Sequence, residues 1–271
     1  MRNLNTGKEN TWCMGCGNFG ILAAAKKAYQ SLSNDGIPEE NIVMTAGIGC
    51  HGKIFDYLNI SGVYGLHGRA LATAQGIKLA NPDLKVITFG GDGDSLGEGL
   101  EHTLFAAKRN IDLTLILHNN GTYGLTTGQA SPLSHIGYKG LSTPHGNVEM
   151  PFNPLSLMLE AGATFIARSY SAKIEHLSMM IHRAVLHKGF SFIEVLQPCV
   201  SYNNTYELYN EHCKIMQDTP VDDEAIRRLL ADPDTLHLGV FKEQLHSEYC
   251  EAIHLNYKSL TRAERLGMAQ K

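Results

Sequence analysis

The stretch KVITFGGDGD occupies residues 85–94, and a segment with helical periodicity, residues 95–109, follows it at once. The apolar run at residues 85–89 predicts a buried strand, and the glycines after it let the backbone approach a ligand closely. The first turn of a helix offers unpaired N–H groups and a positive dipole end, which suit a phosphate. This order of strand, glycines and helix predicts a phosphate site at the end of a strand.

Oxygen donors for a metal accompany this predicted phosphate site. Asp92 lies among the glycines, and about 25 residues after Gly93 the next predicted strand leads into Asn119-Asn120. Mg²⁺ prefers such hard oxygen ligands and is commonly bound together with phosphates. Gly-Asp-Gly alone also occurs in simple tight turns. With a strand before it, a helix after it and Asn-Asn at the end of the following strand, it favours a diphosphate and metal site.

Helical and strand-like segments alternate along most of the chain. We predict helices at residues 21–32, 71–79, 95–109, 154–161 and 174–187, and strands at residues 41–46, 85–89, 113–117 and 191–196. This alternation predicts an α/β fold with a mostly parallel sheet and helices on both faces. Residues 121–154 are rich in glycine, proline and polar residues, and so long a loop is more often functional than accidental. The segment after about residue 202 has a weak pattern with one helix near residues 222–230.

The composition limits the classes of function. With 271 residues and a formal net charge of −4, the chain fits one large domain and carries no basic excess for binding nucleic acid or a membrane surface. The polar beginning of the sequence lacks the apolar core of a signal peptide, and no apolar run approaches the roughly 18 residues of a membrane span. We therefore expect a soluble, cytoplasmic protein.

The six cysteines include one pair with metal-ligand spacing, Cys13 and Cys16. A lone Cys-x-x-Cys is compatible with a redox dithiol, half a zinc site or half an iron–sulfur site. A zinc ribbon needs a second such pair, which the sequence lacks, and a thioredoxin-like fold would place a strand before the pair. Cys213 and Cys250 lie in no motif and are interpreted as ordinary thiols.

These motifs together resemble the beta subunits of the 2-oxoacid:ferredoxin oxidoreductases. The resemblance rests on Gly-Asp-Gly with Asn-Asn, on Trp-Cys-x-Gly-Cys-Gly at residues 12–17, on Gly-Ile-Gly-Cys at residues 47–50, and on Gln-Pro-Cys at residues 197–199. Further matching stretches begin at Leu66, Thr143 and Phe152. The resemblance covers roughly residues 10–205, so we predict a thiamine-diphosphate-binding domain at residues 1–205. Residues 206–271 are predicted to form an extension packed on this domain or on a partner subunit.

The resemblance implies a thiamine diphosphate site, a Mg²⁺ ion and a [4Fe–4S] cluster. The implied Mg²⁺ ligands are Asp92, Asn120 and the carbonyl of Thr122, and the implied cluster ligands are Cys13, Cys16, Cys50 and Cys199. Four thiolates match the usual ligand set of such a cluster. The other implied cofactor contacts are Ile48, Gly49, Cys50, His51, Leu66, His67, Gly68, Gly91, Gly93, Asp94, Gly124 and Leu125.

Two further side chains are candidate catalytic residues. Lys53 lies three residues after Cys50, where some members of the family carry a lysine that faces the substrate carboxylate, but a solvated surface lysine is the alternative. His67 lies where the family packs a loop on the cofactor. A neutral imidazole there could hydrogen-bond a phosphate or a reacting group, and a structural histidine is the alternative.

The function implied by the resemblance is oxidative decarboxylation of a 2-oxoacid with coenzyme A, giving acyl-CoA, CO₂ and reduced ferredoxin. The expected substrate is 2-oxoglutarate or pyruvate, and activity is expected only with the alpha subunit, because no glutamate here is assignable to cofactor activation. Two alternatives stay open at this point. One is a thiamine-dependent decarboxylase or lyase without electron transfer. The other is an iron–sulfur electron carrier without thiamine, against which the Gly-Asp-Gly and Asn-Asn motifs argue.

Overall fold

The computed structural model describes residues 3–257 as an α/β fold built on one sheet. The helices are α1 (Asn18–Asn34), α2 (Ile54–Tyr57), α3 (Ala70–Ala80), α4 (Leu100–Arg109), α5 (Pro154–Glu160), α6 (Ile174–Leu186), α7 (Tyr206–His212), α8 (Asp223–Leu230) and α9 (Tyr249–Tyr257). The strands are β1 (Ile42–Ala46), β2 (Ser61–Tyr64), β3 (Lys85–Gly91), β4 (Thr114–Asn119), β5 (Phe165–Tyr170), β6 (Ser191–Leu196), β7 (Cys213–Ile215) and β8 (Leu236–Glu243).

The sheet is mostly parallel. Its strand order is β2-β1-β3-β4-β6-β5-β8-β7, and the strands from β2 to β5 in this order pair in parallel. β8 pairs antiparallel with β5, and β7 pairs parallel with β8. The predicted α/β class with a mostly parallel sheet is therefore confirmed.

Helices cover both faces of this sheet. Side chains of α1 and α6 pack with Met44, Phe89 and Val195 on one face. Side chains of α3, α4 and α5 pack with Val86 and Leu117 on the other. Successive residues of a strand point to opposite faces, so Val86 contacts one helical layer and Ile87 the other. Burial on both sides explains why β3 and β4 are almost continuously apolar.

Four strands were missing from the sequence-based prediction: β2, β5, β7 and β8. The last two lie after residue 206, so the C-terminal segment extends the central sheet in addition to forming its predicted helix. The division at residue 205 stays a prediction, and residues 258–271 of the predicted extension lie outside the described residues. Within the described range, no helix is long and apolar enough to span a membrane.

The segment after β3 also differs from the predicted continuous helix. Residues 94–98 form a π-helical turn, and α4 begins only at Leu100. The wider i→i+5 turn is rare and occurs mostly at functional sites. Glu98 is the last residue of this turn and lies outside α4.

Candidate active site

Loops at the carboxyl ends of the parallel strands enclose a cleft of about 180 Å³. Because parallel strands end at the same edge of a sheet, segments that are distant in sequence meet there. β1 leads into residues 47–50, β3 into Asp92 and β4 into Asn120. The cleft is lined by Ile48, Gly49, Cys50, His51, His67, Gly91, Asp92, Gly93, Asp94, Asn120, Thr122, Tyr123, Gly124, Leu125 and Thr126.

Most of the residues predicted to contact thiamine diphosphate or its metal therefore lie together in this cleft. Leu66 is 76% exposed and does not line it. Gly68 contributes through its backbone, since its N–H donates to Oδ1 of Asp94 at 2.7 Å. Tyr123 and Thr126 line the cleft although the sequence did not single them out.

Asp92 is a buried carboxylate at the end of β3. It is 2% exposed, and Oγ of Ser131 donates to its Oδ2 at 2.5 Å. Burial raises the pKa of this carboxyl to about 6, against the hydrogen bonds from Ser131 and the backbone, which lower it. Burying a carboxylate is unfavourable unless a cation or hydrogen bonds compensate. A divalent cation would compensate here, and with the oxygens of Asn120 and Thr122 in the same cleft the donor set fits Mg²⁺.

Asp94, two residues further on, contacts the loops that follow β1 and β2. Its Oδ1 accepts the N–H groups of Gly68 at 2.7 Å and Ile48 at 3.1 Å, and Nε2 of His51 lies 3.5 Å from its Oδ2. Burial raises the pKa of Asp94, but the contact and charge of His51 and the two backbone donors outweigh it, so the net shift is downward. Asp94 thus stays ionised and positions the loops that follow β1 and β2.

His67 lies at the mouth of the cleft beside two side chains that the sequence did not point to. Its Nδ1 lies 3.3 Å from Oε2 of Glu98, and the hydroxyl of Tyr123 donates to the same carboxylate at 3.3 Å. The ring of Tyr123 packs over Gly93, where an added Cβ would lie 2.1 Å from it. Helical periodicity could not predict the position of Glu98 beside His67, because Glu98 belongs to a π-helical turn rather than to a regular α-helix.

The four predicted cluster ligands line a second, neighbouring cavity. Cys13, Cys16, Cys50 and Cys199 all border it, although they come from three distant segments. An added Cβ at Gly124 would lie 3.7 Å from the sulfurs of both Cys50 and Cys199, so Gly124 is close to both thiols.

Hydrogen bonds connect the three segments that carry the cysteines and fix their relative positions. Nε1 of Trp12 donates to the carbonyl of Cys50 at 2.6 Å. The N–H of Gly17 donates to the carbonyl of Pro198 at 3.1 Å, and Oγ of Ser201 donates to the sulfur of Cys13 at 3.2 Å. The protein chain itself therefore brings these thiols together.

Burial raises the pKa of the Cys16 thiol to about 11, and the nearby thiols of Cys199, Cys50 and Cys13 act in the same direction. Burial likewise raises the pKa of Cys50, while the charge of Lys53 lowers it. Within residues 3–257, no three His, Cys, Asp or Glu side chains converge on one point as ligands of a single metal ion. A four-iron cluster does not require such convergence, because each thiolate binds a different iron. Four cysteines bordering one cavity match the usual ligand set of such a cluster.

The cleft and the cysteine cavity share a wall. Cys50, Asn120 and Gly124 border both. Lys53 borders the cysteine cavity rather than the cleft, and its Nζ lies 3.5 Å from the carbonyl of Thr11. A group bound in the cleft and a group bound by the cysteines would thus be neighbours.

Comparison with known proteins identifies the family. Residues 47–195 match the family described as "Thiamine pyrophosphate enzyme, C-terminal TPP binding domain". The 2-oxoacid:ferredoxin oxidoreductase subunit beta of Saccharolobus solfataricus is 46% identical over 237 residues, covering 86% of this chain and 77% of that protein. The chain belongs to the beta subunits of the 2-oxoacid:ferredoxin oxidoreductases.

Two further relatives agree with this assignment. The 2-oxoglutarate synthase subunit KorB of Archaeoglobus fulgidus is 38% identical over 247 residues, covering 89% of this chain and 88% of that subunit. A solved structure of 2-oxoglutarate:ferredoxin oxidoreductase from Magnetococcus marinus, with 2-oxoglutarate, coenzyme A and succinyl-CoA bound, superposes with a TM-score of 0.91 at 30% identity. That match covers 98% of this chain and 94% of that chain.

This beta subunit therefore carries a thiamine diphosphate-binding domain and is part of an oxidoreductase. Of the three functions that the sequence left open, family membership supports the ferredoxin-linked oxidoreductase. The matched thiamine domain includes Asp92, Asn120 and Cys50, whereas Cys13, Cys16 and Cys199 lie outside it. The roles of the individual residues stay predictions.

Proposed function

We propose that this beta subunit, together with an alpha subunit, oxidises a 2-oxoacid to its coenzyme A ester and passes the electrons through an iron–sulfur cluster to ferredoxin. The residues proposed to hold Mg²⁺ are Asp92, Asn120 and the carbonyl of Thr122, and those proposed to hold the [4Fe–4S] cluster are Cys13, Cys16, Cys50 and Cys199.

The observation that carries this proposal is the shared wall of the two cavities, formed by Cys50, Asn120 and Gly124. A thiamine decarboxylase without electron transfer has no need of four thiols at this place. When bound, thiamine diphosphate supplies the carbon nucleophile and the electron sink for decarboxylation. The chain supplies an anion-binding turn after β3, oxygen donors for the metal and a thiol-lined cavity next to both.

His67 and Lys53 are proposed to act on the reacting groups. Glu98 orients the imidazole of His67 at the mouth of the cleft through the contact at 3.3 Å. His67 would hydrogen-bond a phosphate or the substrate there. Lys53 borders the cysteine cavity close to Cys50, which also lines the cleft, so a cation lies near the wall that the two cavities share. We propose that it attracts the carboxylate of the 2-oxoacid.

The proposed substrate is 2-oxoglutarate or a broader set of 2-oxoacids that includes pyruvate. This proposal is supported by relatives named for 2-oxoglutarate and by a solved relative that holds 2-oxoglutarate, coenzyme A and succinyl-CoA. The long loop at residues 121–153 contributes Leu125 and Thr126 to the cleft. These two residues support a role for the loop in contacting substrate.

The alpha subunit is proposed to cover the outer surface of this loop and to supply the glutamate that activates the cofactor. Apolar side chains on the loop are exposed, and Val148 is 88% exposed. The others away from the cleft are Ile136, Leu141, Met150 and Phe152. Contiguous exposed apolar surface typically marks a protein interface, and we propose that these side chains form such a surface. A cytoplasmic location belongs to the same proposal, because free thiols persist in a reducing compartment.

The test is to reconstitute the subunit anaerobically with its alpha subunit and to assay 2-oxoglutarate and pyruvate with coenzyme A. We expect substrate-dependent reduction of ferredoxin by the pair, a brown protein and release of thiamine diphosphate on denaturation. The beta subunit alone is the control and should be inactive. A colourless pair that decarboxylates 2-oxoacids without reducing ferredoxin would contradict the proposal.

A further inference from the structure

Gln197 connects the residues of the cleft to the cysteines. It is the first residue after β6 and is 1% exposed. Its Oε1 accepts from Nδ2 of Asn120 at 3.1 Å, and its Nε2 lies 3.7 Å from the sulfur of Cys16. Nε2 also donates to the carbonyl of Pro198 at 2.8 Å. One buried amide thus touches a proposed Mg²⁺ ligand at one end and a proposed cluster ligand at the other.

The direction of this amide follows from its partners. The backbone N–H of Thr122 can only donate, and it donates to Oδ1 of Asn120 at 3.0 Å. Nδ2 of Asn120 must therefore point toward Gln197, and the oxygen of Gln197 must face it. This leaves Nε2 of Gln197 directed to Cys16. The hydrogen-bond chain runs from Thr122 through Asn120 and Gln197 to the sulfur.

A metal on Oδ1 of Asn120 would strengthen this chain. A cation polarises the amide that it binds, and hydrogen bonds in series strengthen one another. An N–H donated to a cluster sulfur stabilises the more negative, reduced state and raises the reduction potential. We propose that Gln197 is a positioning residue that couples the two sites, so that Mg²⁺ and thiamine diphosphate bound in the cleft raise the reduction potential of the cluster at Cys16.

This inference rests on the proposed function, because it requires both groups to be bound. By thermodynamic reciprocity, a cofactor that raises the potential of the cluster also binds more tightly when the cluster is reduced. The coupling would favour electron transfer from a loaded cleft and disfavour reduction of the cluster when the cleft holds no cofactor.

A purely structural role for Gln197 is the alternative, and a second hydrogen bond allows the two to be separated. Nδ2 of Asn203 donates to the carbonyl of Asn120 at 2.8 Å, and Asn203 pairs with Cys199 through the backbone. Asn203→Ala therefore weakens the contact between the loops that contain Asn120 and Cys199. It leaves the hydrogen bonds from Asn120 through Gln197 to Cys16 intact. Gln197→Met approximately keeps the volume of the side chain but removes both its N–H donor to Cys16 and the oxygen that accepts from Asn120.

The experiment is a redox titration of the reconstituted, anaerobic alpha–beta pair with dithionite, followed by electron paramagnetic resonance, with and without thiamine diphosphate and Mg²⁺. In the unmodified pair we expect a higher potential with the cofactor, and about 5-fold tighter cofactor binding to the reduced than to the oxidised protein. Gln197→Met should lower the potential and abolish its dependence on the cofactor. Asn203→Ala should retain the dependence. Gln75→Met, the same change at a buried glutamine of α3, should match the unmodified pair.

Each contrary result has its own meaning. An unmodified pair that contains the cluster but shows the same potential with and without cofactor overturns the coupling, whether or not the variants fold. A cofactor-dependent potential that persists in Gln197→Met, or that is lost equally in Asn203→Ala, also overturns it. A protein without iron and sulfide overturns the proposed function itself, and the coupling with it.

Discussion

Two groups of buried polar side chains, one at each end of the sheet, differ in how fully they are hydrogen-bonded. At the carboxyl end, Nε2 of His118 and Nδ2 of Asn18 are buried and have no hydrogen-bond partner within residues 3–257. At the amino end, Oδ1 of Asn110 accepts from the N–H of Phe190 at 2.8 Å and from Oγ1 of Thr164 at 2.7 Å. Native proteins satisfy nearly all buried polar atoms, and the exceptions require an explanation.

We propose that the carboxyl end serves binding and the amino end serves stability. At the amino end, Nζ of Lys78 pairs with Asp112 at 2.6 Å and also donates to the carbonyl of Leu84 at 2.8 Å. At the carboxyl end, Asp92 is buried with a hydroxyl from Ser131 as its side-chain donor. Substitutions at the amino end should reduce the free energy of unfolding and leave cofactor binding and catalysis unchanged. Substitutions at the carboxyl end should reduce cofactor binding and catalysis and leave the free energy of unfolding largely unchanged.

The largest expected effect is that of Cys50→Ser. Cys50 borders both cavities, so its loss should remove the cluster and essentially all ferredoxin reduction. Iron analysis and visible absorbance of the reconstituted pair measure this. Cys213→Ser, a half-buried thiol outside both cavities, is the control and should retain full iron content. Equal iron in the two variants would show that Cys50 is not a cluster ligand.

Asp92→Asn should weaken metal-dependent binding of thiamine diphosphate by about 100-fold or more, because it removes the anionic oxygen from the proposed Mg²⁺ site. The free energy of unfolding without cofactor should stay equal or increase, since burial raises the pKa of this carboxyl to about 6 and makes its ionised form costly. Calorimetric titration and urea unfolding measure the two quantities. A destabilised variant with unchanged cofactor affinity would reverse our interpretation of this end of the sheet.

Asp112→Asn is the matched change at the amino end. It leaves the buried ammonium of Lys78, which is 2% exposed, without its anion. Removing one partner of a buried ion pair typically costs about 3 kcal/mol. We expect a loss of that order in urea unfolding, with affinity for thiamine diphosphate unchanged at a temperature where the variant is folded. Loss of affinity without loss of stability would break the comparison between the two ends.

The smallest effect concerns pH. Burial lowers the pKa of His187, whose Nε2 lies 2.8 Å from Oγ1 of Thr164. The unfolded chain then binds more protons than the folded chain near the ordinary histidine pKa of about 6.5, so this group's stabilising contribution is complete above that value and decreases as the pH falls below it. His187→Gln should therefore lose less stability than the unmodified protein between about pH 7 and about pH 5. Urea unfolding of both proteins at the two pH values measures this. An equal loss of stability in the variant and the unmodified protein would contradict the prediction.

Local sequence was enough to predict the elements whose pattern is local. The run before Gly90, the glycines and the helix after them predicted β3 and its turn, and both are present. β5 was missed because its middle residue, Arg168, is charged. Its burial depends on a 2.6 Å pair with Glu194 of β6, which no local pattern reveals. β2 was missed because it is a short, exposed edge strand.

The same limit applies to the site. The residue types for a diphosphate, a metal and a cluster could be named from motifs and family resemblance. Local periodicity could not reveal Ser131 as the partner of Asp92, 39 residues away, or Gln197 as the partner of Cys16, 181 residues away. Glu98 depended on a π-helical turn that interrupts the expected helix.

The sequence by itself therefore determined the α/β class, the glycine-rich turn after β3 and the family to which the chain belongs. Only the tertiary structure decided that the four cysteines border one cavity, that this cavity shares a wall with the cleft, and that one amide joins the two. The physical reason is the parallel sheet. It brings the carboxyl ends of strands that are distant in sequence to one edge, where contacts depend on strand order rather than on sequence spacing.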